Sequence, residues 1–374
     1  MNVAAWAQPP APNTLAPLAT IAGVASALPP HRYEQAAITE AVKQLWHGKL
    51  DRPELLDRLH ARAKVAHRHL ALPIERYAGF SDWGAMNATW IEHAQQLGAQ
   101  ALDEALERAG LRGQDLDALF VVSITGVASP SLDARIINRL RLRPDIKRTP
   151  IFGVGCVGGA LALSRAADYT LAYPHHTAAV VSVELCSLTF RRDDLSAANL
   201  VSSGLFGDGA AAVVLAGPAA APARDRGAAR APRILATQSV FYEDTEQLMG
   251  WDISGQGFKI VLSPHLPELI RAKLAHDVDA FLALHGLCRG DLGTWVIHTG
   301  GPKVLLAVQD ALSLRDDHLA PSWESLERVG NLSSASVLLV LEDVNANRAP
   351  RPGTLGMLLA LGPGFCSELI LLQW

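Results

Sequence analysis

The sequence predicts a layered α/β fold built from two duplicated halves, and two observations lead to this prediction. Continuous apolar runs of strand length, such as residues 119–123 and 178–183, alternate with helical patterns, which is typical of α/β domains with a mixed sheet. A glycine-flanked motif also occurs twice, because residues 154–160 (VGCVGGA) match residues 329–335 (VGNLSSA). We therefore expect two copies of one structural unit to pack together.

The first half is predicted to span residues 21–217, behind a tail of residues 1–20 that is too rich in proline and small residues to bury much apolar surface. Continuous apolar runs predict strands that are covered on both faces, and apolar residues at helical spacing predict helices. The predicted elements are, in order, a strand at 21–27, helices at 33–46, 53–64 and 90–109, a strand at 119–123, helices at 132–140 and after residue 156, and strands at 178–183 and 210–215.

A linker is predicted at residues 218–232, where hydrophobic periodicity is lost. The second half then covers residues 233–374. Its predicted elements are a strand at 234–242, a helix at 266–285, a strand at 294–298, a helix at 302–312 that begins with proline, and strands at 354–361 and 368–373.

Composition excludes several classes of function. The chain has 33 Lys and Arg residues against 37 Asp and Glu residues, so no general attraction to nucleic acid is expected. No apolar run approaches the roughly 20 residues of a membrane span. The four cysteines form no CxxC pair, which predicts neither a disulfide framework nor a metal site and favours a cytoplasmic location.

The internal repeat extends to two further pairs of motifs. Residues 122–126 (VSITG) match residues 296–300 (VIHTG), and this pair precedes the glycine-flanked motif by nearly the same distance in both halves. Residues 206–209 (FGDG) match residues 361–364 (LGPG), although the spacing of this pair differs between the halves. The order of the motifs therefore supports a duplication.

The repeat sets Cys156 opposite Asn331 and Ile124 opposite His298. Cys156 follows a strand-like run and begins a helical pattern, and the positive end of a helix favours a thiolate over a thiol. Taken singly, each residue has a simpler interpretation: a small core cysteine, a core histidine, and an asparagine that caps a helix. Superposed halves would bring the three side chains to one axis.

Such a group of side chains has a defined chemistry. A cysteine with a histidine can form a thiolate–imidazolium pair that attacks thioesters, and a histidine with an asparagine offers two N–H donors to an enolate oxygen. These groups suit decarboxylative condensation, which requires no metal and no bound cofactor. A papain-like hydrolase uses the same residue types, so residue types alone do not select the reaction.

Five ordered motifs resemble those of type III polyketide synthases, the chalcone and stilbene synthase group of the thiolase-like superfamily. They are GVGCVGG around Cys156, LFGDGAAA around Phe206, VIHTGGPKVL around His298, GNLSSAS at Asn331 and GPG at residues 362–364. The resemblance runs from about residue 21 to the C-terminus. It implies a homodimer of thiolase-like αβαβα subunits that condenses an acyl-CoA starter with several malonyl-CoA units and cyclises the product to a resorcinol, a pyrone or a related aromatic compound.

The resemblance also implies a role for each matching residue. Cys156 would carry the growing acyl chain, and His298 and Asn331 would stabilise the enolate formed from malonyl-CoA. Phe206 and Phe258 would line the gate between the CoA tunnel and the cavity. Coenzyme A enters as part of the substrates, so no separate cofactor is expected.

The remaining predicted substrate-binding residues are Ile124, Cys186, Thr189, Met249, Ser333 and Pro363. Ile124 and Cys186 stand where plant members of the family have threonine, which predicts a less polar cavity and a fatty or aromatic starter. Arg58 is expected near the tunnel mouth, where a basic residue would meet the phosphates of CoA.

Three alternatives remain open at this point. A condensing enzyme related to ketoacyl carrier-protein synthase III would need a carrier protein. A cysteine acyl-CoA hydrolase would release free acid without forming a carbon–carbon bond. A non-catalytic dimeric binding protein would need Cys156 to be inert toward iodoacetamide.

Overall fold

A computed structural model describes residues 15–80, 82–220 and 231–374. Residues 1–14 of the predicted tail and residues 221–230 of the predicted linker lie outside this part of the chain. The strands, in chain order, are β1 (Ala19–Ala27), β2 (His31–Glu34), β3 (His67–Leu70), β4 (Ala118–Val122), β5 (Lys147–Ile151), β6 (Thr177–Leu185), β7 (Asp208–Ala216), β8 (Arg233–Phe241), β9 (Met249–Ser254), β10 (Gly257–Leu262), β11 (Leu292–Ile297), β12 (Leu355–Gly362) and β13 (Cys366–Gln373).

The α-helices begin and end close to sequence signals such as the prolines that open α2, α8 and, at its second position, α7. In chain order they are α1 (Gln35–Leu45), α2 (Pro53–Arg62), α3 (Trp83–Ala109), α4 (Leu132–Leu140), α5 (Gly158–Ala172), α6 (Ala197–Leu205), α7 (Leu266–Ala283), α8 (Pro302–Leu312), α9 (Asp316–Val329) and α10 (Ser336–Asp343).

The main sheet shows the duplication directly. Its strand order is β11-β12-β13-β8-β1-β7-β6-β4-β5, and the antiparallel pair β1–β8 joins the two halves. Outward from this pair, β1-β7-β6-β4 and β8-β13-β12-β11 both run through two antiparallel pairings and then a parallel one. The predicted α/β class with a mixed sheet is confirmed.

The same topology explains the irregular spacing of the third motif pair. The FGDG motif spans the end of the connection from β6 and the first two residues of β7, and the LGPG motif spans the last two residues of β12 and the turn that follows. These connections are equivalent, but the first contains a 3₁₀ turn and α6, whereas the second is a short turn. The motifs therefore border on equivalent connections, at different distances along the chain.

The helices form layers around the sheet. Alternate residues of the strands point into three cores, as the period of two along a strand requires. One core holds α5 and α10 between the two halves, the second packs α3 and α4 on the first half, and the third packs α7, α8 and α9 on the second half. This arrangement gives five layers, α-β-α-β-α.

Several element boundaries differ from the predictions. β1 begins at Ala19, so the last two residues of the predicted tail belong to the sheet, where Thr20 pairs with Ala216. α3 begins at Trp83, seven residues before the predicted start, because the Asp82 side chain caps it by accepting from the Ala85 N–H at 2.9 Å. The first turns of α3 are partly exposed, so their apolar pattern is weak.

The sequence interpretation also missed two small antiparallel pairs, β2–β3 and β9–β10, together with α6 and α9. β2 and β3 have the sequences HRYE and HRHL, which are too polar to show strand periodicity. The predicted helix at 33–46 therefore included the last two residues of β2.

The two halves approach most closely where the start of α5 meets the turn before α10. A Cβ atom at Gly159 would collide with the backbone carbonyl oxygen of Ser334. Only glycine permits this contact, because any side chain would push the two helix starts apart.

We expect the Gly159→Ala substitution to lower the free energy of unfolding by roughly 1–3 kcal/mol, although alanine is the better helix former, because the added methyl group overpacks this contact. Chemical denaturation would measure the effect. Gly255→Ala is the matched control, since no atom lies within 4 Å of its added Cβ. Equal stability of the two variants would contradict the close contact.

Candidate active site

Cys156 lies in a sharp turn between β5 and α5. The turn contains Gly155 at a φ of +53°, a conformation that favours glycine, and continues as a 3₁₀ turn at Gly155–Val157. Cys156 is 7% exposed and lies two residues before the start of α5 at Gly158. The predicted position of the cysteine at a helix start is therefore observed.

Asn331 lies in the equivalent turn of the second half, after α9. Its backbone N–H donates to the Leu205 carbonyl at 2.9 Å, and its carbonyl accepts from the Gly207 N–H at 3.0 Å. The side-chain oxygen Oδ1 accepts from the Ser333 N–H at 2.7 Å. This bond fixes the orientation of the amide, so the side-chain NH₂ group is the end that can donate to a ligand.

The two turns are in contact with each other. The Cys156 thiol lies 3.6 Å from Ser333 Oγ, to which it can donate, and hydrogen bonds from Ser333 and Asn331 favour the thiolate. The sulfur and the amide therefore come from opposite halves of the chain into one small region.

His298 follows the last residue of β11. Its backbone N–H donates to the Leu359 carbonyl at 2.9 Å, which fixes it beside β12. Gly362, at the end of β12, packs against Val154 and Val157 on either side of the Cys156 turn. His298 thus lies at the carboxyl end of the strand pair that supports this turn.

The imidazole of His298 is 3% exposed, and within the described part of the chain neither ring nitrogen has a hydrogen-bond partner. Buried polar atoms of this kind usually have partners, so an orphaned ring is a reason to expect a ligand there. Burial lowers the pKa of His298 to about 4, which keeps the ring neutral.

Burial and hydrogen bonding act in opposite directions on the charge state of Cys156. Burial raises the pKa of the Cys156 thiol to about 11 and outweighs the hydrogen bonds from Ser333 and Asn331, which lower it. The charge of Glu184 raises this pKa further. In the free site, burial therefore favours a neutral thiol and a neutral imidazole, against the thiolate that the helix start favours.

Glu184 links the two halves beneath the site, and the sequence interpretation did not identify it. This fully buried carboxylate accepts from Ser334 Oγ of the second half, and from the Ile124 N–H at 3.1 Å and Thr125 Oγ1 at 2.9 Å of the first. Burial raises its pKa to about 7. Its only signal in the sequence was an acidic residue inside an otherwise apolar strand.

A cavity lies beside the site. Four predicted substrate-binding residues line it, namely Cys186, Thr189, Phe206 and Phe258. Phe206 also pairs with Asn331 through a backbone bridge, so the cavity borders on the proposed catalytic group. Arg68, Tyr77 and Trp251 line the same cavity and were not identified from sequence.

The other predicted residues lie outside the wall of this cavity. Ile124 and Pro363 pack against Gly155, and Ser333 is the thiol's neighbour. Met249 lies on β9, paired with Leu262. Arg58 is exposed on α2 and does not line the cavity, so its contact with CoA phosphates stays a prediction.

The described residues offer neither a metal centre nor a membrane-spanning helix. No group of three or more His, Cys, Asp and Glu side chains there could hold a metal ion. Within residues 15–80, 82–220 and 231–374, no helix has the length and apolar character that a membrane crossing requires.

Comparison with known proteins identifies what this architecture is similar to. Residues 13–219 match the profile of the chalcone and stilbene synthases, N-terminal domain, and residues 233–374 match that of the C-terminal domain. A 1,3,6,8-tetrahydroxynaphthalene synthase of Streptomyces peucetius subsp. caesius is 54% identical over 95% of this chain and 93% of its own length. A 3,5-dihydroxyphenylacetyl-CoA synthase of Streptomyces toyocaensis is 33% identical over 96% of this chain and 90% of its own length.

Among solved structures, the crystal structure of 1,3,6,8-tetrahydroxynaphthalene synthase from Streptomyces coelicolor A3(2) superposes with a TM-score of 0.87. It is 29% identical, and the match covers 95% of this chain and 99% of that one. The five-layer arrangement is therefore the thiolase-like fold, as predicted.

We expect alkylation of Cys156 by iodoacetamide to accelerate as the pH rises toward the thiol pKa of about 11, because the thiolate is the reacting form. Mass spectrometry of the modified peptides would follow the rate, with the exposed Cys288 as an internal reference. The Glu184→Gln substitution removes a charge that raises this pKa, so alkylation should then begin at lower pH. A half-maximal rate at or below neutral pH in the wild type would show that the thiolate forms at rest.

Proposed function

This chain belongs to the chalcone and stilbene synthase family and is a type III polyketide synthase, and we propose that it builds a small hydroxylated aromatic product from malonyl-CoA alone. The contact between Cys156 and the turn that carries Asn331 is the observation that supports the chemistry, together with the buried His298 ring, whose nitrogens have no partner among the described residues. The names of its relatives support the class of product.

The first step would load the primer. Cys156 gives its thiol proton to the neutral His298, and the sulfur attacks the carbonyl carbon of the acyl-CoA thioester. The carbon–sulfur bond to CoA breaks, and the CoA thiolate leaves with the proton that His298 returns. The neutral ring of His298 has a nitrogen free to accept this proton, and the transfer accompanies the attack of the sulfur on the carbonyl carbon.

The second step would form the carbon–carbon bond. A malonyl-CoA loses carbon dioxide, and the electron pair of the broken bond passes into an enolate. The N–H groups of His298 and Asn331 donate to the enolate oxygen, since the Asn331 amide is oriented with its NH₂ group free to do so. The enolate carbon attacks the acyl carbon on Cys156, and the cysteine thiolate leaves, ready for the next cycle.

The names of the relatives support a small starter. The relative at 54% identity is named for a naphthalene, whose carbon skeleton divides into five two-carbon units. We therefore favour malonyl-CoA as both starter and extender over the fatty or aromatic starter that the apolar cavity residues suggested.

The other enzyme classes fit less well. A ketoacyl carrier-protein synthase would match a different family, and both halves of this chain match the chalcone and stilbene synthases. A simple hydrolase needs water at the acyl cysteine, whereas Cys156 and Asn331 are both buried.

We also propose that the enzyme acts as a homodimer. β5 is an edge strand of the main sheet and is followed by Phe152, whose side chain is 48% exposed. Unpaired edge strands and exposed aromatic side chains are common at interfaces between subunits. A mass of 39.9 kDa by light scattering, rather than twice that value, would contradict a dimer.

We expect Cys156→Ala to abolish product formation while malonyl-CoA decarboxylation continues, because only product formation needs an acyl thioester on Cys156. His298→Gln and Asn331→Ala should each slow decarboxylation by roughly 10²–10³-fold, the usual cost of one oxyanion donor. Carbon dioxide release and mass spectrometry would measure both activities. His265→Gln, which changes an exposed histidine, is the matched control. A wild-type decarboxylation rate in His298→Gln or Asn331→Ala would exclude that residue from stabilising the enolate.

We expect the wild-type enzyme to form an aromatic product from malonyl-CoA without any added starter. Products would be read by mass spectrometry, with acyl-CoA starters of graded length added in parallel. Long-chain starters should compete poorly, since the proposed primer is a malonyl group. Preferential extension of a long-chain starter, with no product from malonyl-CoA alone, would refute this proposal and favour the fatty starter.

A further inference from the structure

Of the described residues that line the cavity, Arg68 alone carries a charge. Its side chain is 3% exposed, and it lies on β3, one of the polar strands missed from sequence. A guanidinium is rarely buried without compensation, because removal of its charge from water costs several kcal/mol. Its position in the wall of a substrate cavity therefore requires an explanation.

Arg68 is held rigidly by its neighbours. Nε donates to Gln35 Oε1 at 3.1 Å, and Nη1 donates to the Phe206 carbonyl at 2.8 Å. The aliphatic part of the side chain packs against Gly330, next to Asn331. Nη2, however, has no hydrogen-bond partner in the described part of the protein. One end of the guanidinium fork is thus fixed, and the other is unused.

The charge of Arg68 is only partly balanced. Asp208 is the nearest counter-charge, and its oxygens already accept from the Ala71 N–H at 2.7 Å and the Ser187 N–H at 2.8 Å. No carboxylate of the described residues lies within ion-pair distance of Arg68. Burial lowers the pKa of Arg68 to about 10, so the group remains protonated at neutral pH.

We propose that Arg68 is a specificity-determining residue that binds the free carboxylate at the far end of the growing chain, through Nη2. This inference rests on the proposed function, in which the primer is a malonyl group. A malonyl primer keeps a carboxylate at the end remote from the thioester while the chain grows, and this carboxylate leaves as carbon dioxide before a skeleton of five two-carbon units is complete. A guanidinium with a free N–H edge is the side chain best suited to bind it.

The geometry of chain growth fits this role. Each extension inserts two carbons next to the thioester, so the carboxylate of the primer moves away from Cys156 as the chain lengthens. Cys186 lines the same cavity as Arg68 and is close enough to Cys156 for the two thiols to influence each other electrostatically, so the cavity extends toward the nucleophile. Binding of the carboxylate at Arg68 would hold the far end of the chain while the other end is extended and folded.

A purely structural role is the rival explanation. Arg68 supports the Phe206 carbonyl and packs next to Asn331, so its loss could weaken catalysis without any contact to substrate. That role would affect every primer equally. A role in carboxylate binding would affect only primers that carry the charge.

The test compares malonyl-CoA with its methyl ester as primer. The ester cannot decarboxylate, so it serves only as a primer, and its end group is neutral and of nearly the same size. Both are extended with malonyl-CoA, and mass spectrometry separates the products. In the wild type we expect the malonyl primer to be preferred by about tenfold or more, the value of a charge-assisted hydrogen bond.

The Arg68→Met substitution should reduce this preference to within about twofold, while extension of the ester primer falls by less than about threefold. Arg328→Met, which removes an exposed arginine of α9, is the matched control and should preserve the preference. If Arg68→Met slows the extension of both primers equally, Arg68 has a structural role and the proposal is overturned. If that variant does not fold, equal use of the two primers by the wild type would still overturn the proposal. Absence of any product from malonyl-CoA alone would instead refute the proposed function.

Discussion

The active site depends on the contact between the start of α5 and the turn before α10. Gly159 lies directly against the carbonyl of Ser334, and the Ser334 hydroxyl donates to the buried Glu184 of the other half. Because each turn carries one functional side chain, this single contact brings Cys156 and Asn331 into the same region. A hydrogen bond to a buried carboxylate is stronger than one between neutral groups, so the contact resists separation of the halves.

Much of this arrangement could be predicted from the sequence, because a duplication leaves its record in paired motifs. The match of Cys156 with Asn331 predicted that the two helix starts would meet, and they do. Glu184 and Arg68 were missed because the groups that hydrogen-bond to them, and so allow their burial, lie far from them in the sequence. The polar strands β2 and β3 also showed no periodicity, since contacts with the rest of the fold stabilise them rather than an apolar face.

The chemical state of the site depends on two opposing effects. A helix start favours a thiolate, but this effect is small beside the cost of burying a charge. Burial therefore keeps Cys156 protonated and His298 neutral in the free protein. A neutral imidazole is the form that can both accept the thiol proton and donate to an enolate, so the buried site suits the two steps in turn.

The most direct test of this account is a double-mutant cycle between Glu184→Gln and Ser334→Ala, read as kcat/KM for malonyl-CoA decarboxylation. If their hydrogen bond aligns the two halves of the site, the effects of the substitutions should be non-additive by about 1 kcal/mol or more. Effects that add to within about 0.5 kcal/mol would show that the contact does not position the catalytic group, and would contradict the central claim.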